Sequence, residues 1–84
     1  MKINNSSDWF LVDLELNSQI RSLNFNPDLN KMKRNLEKMV TELNKAEVDA
    51  RRLKTNKYIQ PKIDEINIAI DQLEKWIIVL ILRQ

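Results

Sequence analysis

The chain contains no glycine, no cysteine and no histidine. Without glycine there are no phosphate-cradling loops of the GxxxxGK[ST] or GxGxxG type. The usual residue for positive φ is also missing, which disfavours tight β-hairpin turns and glycine helix stops. Without cysteine there is no disulfide framework and no thiol chemistry. Without histidine, Cys/His metal sites and imidazole acid–base catalysis are excluded. Proline occurs twice, at Pro27 and Pro61. Neither sign of charge dominates: 14 basic against 12 acidic residues give a net charge of +2, a weak drive toward nucleic acid. The opening MKINNSSDWF lacks the apolar core of a secretory signal. The longest apolar run, residues 76–82, is far short of the roughly 20 residues a membrane-spanning helix needs. A cytoplasmic protein is therefore expected.

What remains is rich in Leu, Ile, Lys, Glu, Asn and Gln, a composition that favours helix. An 84-residue chain forms one domain at most. Asn26 can cap a helix that begins at Pro27, with Asp28 facing its positive end. From there Leu29, Met32, Leu36, Met39, Leu43, Ala46, Ala50 and Leu53 alternate in steps of three and four, a heptad seam that predicts a helix over 27–53. Glu47 falls on the same face and does not fit the seam; its stem is expected to pack while its carboxylate reaches solvent or a lysine. Ile63, Ile66, Ile70, Leu73, Ile77 and Leu80 form a second seam, predicting a helix over about 61–84 with Gln60 as cap. Asn56 is the alternative cap, with a local distortion at Pro61. Trp9, Val12, Leu16, Ile20 and Leu23 mark an amphipathic first helix over about 7–23, capped by Asn5, Ser6 or Ser7.

Two seams of similar length joined by a short link predict an all-α fold: a long, coiled-coil-like antiparallel hairpin, with the first helix packed at its open end. Some apolar surface is then left over. With Leu73 at the centre of the inner face, Ile77 and Leu80 lie within about 40° of it, while Ile78, Val79 and Leu82 lie about 120–180° away. On the first helix Phe10 and Leu14 face away from Val12 in the same manner. The open end of the hairpin is also where the first helix joins the second, so both excesses are expected at that one end. An irregular three-helix bundle, a second copy of the chain or a different protein would each cover them. Phe10, Leu14, Ile78, Val79 and Leu82 are the candidate partner-binding residues.

Catalysis is not expected. Asp64 with Glu65, and Glu47 with Asp49, are acidic pairs whose members do not converge on a helix, and no Ser or Thr has a histidine partner. No cofactor is implied, and no loop spacing resembles a carboxylate metal site. Arg51, Arg52, Lys54, Lys57 and Lys62 make the hairpin tip basic, with Tyr58 available for stacking. A solvated basic turn is the favoured reading, since the rest of the chain offsets the charge.

The layout is similar to a known group. A glycine-poor hairpin, an N-terminal amphipathic helix with DLELNSQ (13–19), an aromatic Tyr58 ahead of the last helix, and a terminal LEKWIIVLILR (73–83) resemble the small co-chaperones of type III secretion needle subunits, the YscE/SsaE/EscE-like family. The chain departs from that pattern at Pro61 and at the break made by Asn26 and Pro27. The resemblance implies a cytoplasmic, non-catalytic protein that pairs with a larger helical-repeat chaperone, the pair keeping a needle subunit from polymerising. The alternative function is a self-associating helical adaptor or regulator, and nucleic-acid binding is a distant third.

Overall fold

The computed structural model describes residues 1–24, 26–56 and 58–83. Phe25, Lys57 and Gln84, placed by the sequence in the two links and at the end of the third helix, lie outside the described residues. The chain is all-α: a 3-10 turn at Ser6–Asp8, then α1 (Trp9–Arg21), α2 (Pro27–Leu53) and α3 (Ile59–Leu82). Helices α2 and α3 pack against each other as a long antiparallel hairpin, and α1 lies against both. The molecule measures 49 × 18 × 16 Å.

Helix α2 starts where its cap dictates. The Asn26 side chain accepts from the N–H groups of Asp28 (3.0 Å) and Leu29 (3.2 Å), satisfying two donors that the helix itself leaves free. Its seam is not buried evenly. Leu29, Leu36, Leu43 and Ala50 are buried, Met32, Met39 and Ala46 are half-buried, and Val40 on the flank is buried. The burial of Val40 comes from α1 and the segment before it, which lie on that side of the hairpin. Leu53, the last seam position, is exposed because it lies at the tip, beyond the packed length of α3.

The C-terminus of α2 is a helix stop made without glycine. Lys54 takes the left-handed conformation (φ 55°, ψ 43°), and Thr55 N–H wraps back to Ala50 O at 3.1 Å. Asn24 after α1 also has a positive φ, 64°. The missing glycine therefore does not remove left-handed helix ends; it places them on residues whose Cβ resists that conformation.

Helix α3 begins at Ile59, two residues ahead of the expected start, and Tyr58 rather than Gln60 precedes it. Ile59 N–H donates to Asn56 O at 3.2 Å. Pro61 is thus the third residue of the helix. Its missing N–H is one of the first-turn donors that have no helical partner, so no backbone bond is lost and no kink is needed. The earlier start brings Ile59 onto the seam, half-buried below Ile63, Ile66, Ile70, Leu73 and Ile77.

Helix α1 is shorter than the expected 7–23 because its entry is a 3-10 turn and its exit tightens around Asn24. Of the three candidate caps, Asn5 fills the role: its side chain accepts from Asp8 N–H at 3.2 Å, while the Asp8 carboxylate accepts from Asn4 N–H at 2.7 Å. Val12, Leu16 and Ile20 face inward and are buried, so α1, α2 and α3 share one core. Ile3, ahead of all three helices, is also in that core.

Candidate functional site: apolar ends and polar clasps

Along the last two turns of α3 burial alternates sharply. Ile77 is 1% exposed and Leu80 is half-buried, whereas Trp76, Ile78, Val79, Ile81 and Leu82 are exposed, Leu82 at 80%. The hairpin seam and α1 account for the covered pair. The exposed five are what one flanking helix cannot reach. Among them, Ile78, Val79 and Leu82 are the partner-binding candidates read from the sequence, and Trp76 and Ile81 are exposed beside them. Trp76 borders two grooves on the α2–α3 surface. One, about 430 Å³, is lined by Met32, Gln72, Lys75, Trp76, Val79 and Arg83. The other, about 240 Å³, is lined by Asn26, Asp28, Leu29, Met32, Trp76 and Leu80.

Phe10 and Leu14 are exposed as well, Phe10 at 67%, and Leu11 adds a third apolar side chain beside them. Phe10 does not sit at the end of the molecule that holds Ile78 and Leu82. Trp9 shares a surface pocket with Val40, Thr41 and Asn44, which places the start of α1 about 20–25 Å along α2 from Pro27. The reason is connectivity. Helix α1 joins α2 through its own C-terminus, so its first turn is the part furthest from the open end. Phe10, on that first turn, therefore lies toward the middle of the hairpin, while Leu14 follows Asp13, which meets Lys33 nearer the open end.

Three polar clasps hold α1 and the segment before it. Ser6 N–H donates to both carboxylate oxygens of Glu47, at 3.3 and 3.2 Å. Glu47, the charge that did not fit the seam, is half-buried and accepts a main-chain hydrogen bond: it caps the start of the α1 unit from a neighbouring helix, where a carboxylate is electrostatically favoured. Lower on the same flank, Lys33 Nζ lies 2.6 Å from Asp13 of α1 and 2.9 Å from Glu37, and the lysine side chain is only 12% exposed. Burial works against the Lys33 charge, but hydrogen bonding and attraction from Asp13 and Glu37 outweigh it and raise its pKa above the ordinary lysine value. The third clasp is Asn67 on α3. Its carboxamide accepts from Ile3 N–H at 2.8 Å and donates to Ile3 O at 3.0 Å. Beyond it the Met1 amino group lies 2.8 Å from Glu74.

Sequence reasoning missed Ile3 altogether. A single aliphatic residue within MKINNSS shows no period, so pattern alone offers no signal for it. At the other end of the hairpin, Arg51, Arg52, Lys54 and Tyr58 are exposed, and Arg52 lies 3.4 Å from Asp49. The fourth cation of the expected basic run, Lys57, lies outside the described residues, and Lys62 is half-buried. Among the described residues, no helix is long and apolar enough to cross a membrane.

Comparison of the chain with protein-family models, with curated proteins and with solved structures returned no match.

Proposed function

We propose that this chain is a non-catalytic binding protein that docks a helical protein partner on the exposed end of α3. The observation that carries the reading is the contrast within that end: Ile78, Val79 and Leu82 are exposed beside a buried Ile77, next to grooves that Met32 and Trp76 line. An apolar surface rimmed by Asp28, Lys75 and Arg83 suits the apolar face of an amphipathic helix. The resemblance to the YscE-like family gives the proposal its specific form. The partner is then a larger helical-repeat chaperone in the cytoplasm, and the pair shelters a type III secretion needle subunit from polymerisation. Phe10 and Leu14 supply a second, separate contact on α1. Affinity capture from the native cytoplasm with the intact chain, set against Ile78→Asp as bait, tests this. A helical-repeat protein retained only by the unsubstituted chain is the expected result; its absence from both captures would remove the reading.

A second reading, a self-associating adaptor, is favoured by one observation. Ile68, Asp71, Lys75, Ile78 and Leu82 step by three and four along the outer face of α3, and Asp71 and Lys75 lie 2.9 Å apart at its centre. In an antiparallel pair of such faces, with Ile68 opposite Ile78 of the copy, each Asp71 meets a Lys75. Sedimentation equilibrium decides it: a homodimer supports the adaptor, and a monomer across the concentration range excludes it.

A further inference from the structure

The hairpin holds residues 1–5 as a receptor holds a peptide. Asn67 pairs with both main-chain groups of Ile3, the exchange that one β-strand offers another, supplied here by a side chain. That pairing does not depend on which side chain the bound residue carries. Selectivity comes from the Ile3 side chain, which is enclosed almost completely, while its neighbours Met1, Lys2, Asn4 and Asn5 are exposed. Two main-chain hydrogen bonds and one aliphatic pocket recognise Ile3, and the ion pair of the Met1 amino group with Glu74 holds the end of the strap.

This strap is built to separate from the rest. It precedes every helix, and it contributes one buried side chain to a core that α1, α2 and α3, with Leu23 from the link after α1, otherwise fill. Segments with so few buried contacts open locally, without global unfolding. The groove also runs toward exposed apolar surface. Glu74, which holds the Met1 end of the strap, is one helical turn before Ile78 on the same face of α3.

We propose that the Asn67 groove is an exchangeable peptide-binding site. Its ligand in this structure is the chain's own strap, and its ligand in trans is an extended segment of another protein bearing one Ile, Leu or Val with a free N–H and C=O. Proline at that residue is excluded, because it has no N–H for Asn67 Oδ1. The inference goes beyond the docking face described above and stands on different residues.

The test uses the full chain carrying Ile3→Asp, checked for helical circular dichroism, and a fluorescent peptide MKINNSSD read by anisotropy. Saturable binding to the Ile3→Asp chain is expected. Binding to the unsubstituted chain should be at least about tenfold weaker, because the tethered strap competes at high local concentration. A peptide N-methylated at the isoleucine keeps the side chain but loses the donor, and should not bind; adding Asn67→Leu to the chain should abolish binding as well. No binding by a helical Ile3→Asp chain, or binding indifferent to N-methylation and to Asn67→Leu, overturns the proposal. Hydrogen exchange on the unsubstituted chain provides an arm that needs no variant. The Ile3 amide should exchange at least about 100-fold faster than that of Leu36, and equal protection would show that the strap opens only with the whole fold.

Discussion

Glu47 lies on α2 and caps the backbone of Ser6, 41 residues earlier in the chain, accepting its N–H with both carboxylate oxygens. A charged residue on the flank of the seam, beside Ala46 and Ala50, is used to fix where α1 begins. Glu47→Ala should therefore destabilise the chain by about 1–2 kcal/mol, the range for losing a cap with a charged acceptor. Glu47→Leu widens the apolar stripe beside Val40 and should give no gain, because Ser6 N–H is left without its acceptor. Urea denaturation of the two variants checks this; a Leu variant more stable than the parent would show the cap to be energetically idle.

Lys33 links α1 to α2 through Asp13 while also meeting Glu37. Its pKa is raised in the folded chain. The stability it contributes is thus fully present below the ordinary lysine pKa of about 10.5 and is lost as pH rises through the higher folded value. Unfolding midpoints at pH 8 and in strongly alkaline buffer should fall further for the parent chain than for Lys33→Met. Equal falls would mean that the other lysines account for the whole effect.

Ile77 and Ile78 are adjacent in sequence and opposite in role. Ile77→Asp places a charge in the core and should cost more than about 4 kcal/mol, enough to unfold a domain of this size. Ile78→Asp and Leu82→Asp should leave helical circular dichroism unchanged and stability within about 0.5 kcal/mol of the parent, while removing association with the partner. Unfolding by Ile78→Asp would relocate that residue to the core.

Lys54 bears a Cβ in a conformation that glycine adopts freely. Lys54→Gly should stabilise the chain by up to about 1 kcal/mol, with a higher melting temperature as the readout. A neutral or negative result would show that the lysine side chain itself holds the tip.

The hairpin was legible because period and capping agreed. Asn26, Pro27 and Asp28 mark the start of α2, and two unbroken seams face each other. Pro61 misled because a proline is compatible with any first-turn position, and sequence does not say which one it occupies. Leu53 belongs to the seam by spacing, but spacing does not tell where the partner helix stops. Glu47 was visible only as an anomaly. Its explanation needs the direction of α1, which depends on Lys33, Val40 and Glu47 standing seven residues apart along one flank of α2. The polar ends of that triplet meet Asp13 and Ser6, and such pairings between distant segments leave no period in the sequence.

The 49 × 18 × 16 Å outline bears on how copies of this chain should be counted. A compact domain of this length has a radius of gyration of about 12 Å, whereas this rod has 14.1 Å. A lone molecule will tumble and elute as though it were heavier, so gel-filtration position by itself would overstate the mass of one chain. Stoichiometry with any partner has to be weighed by sedimentation or light scattering, which read mass rather than shape.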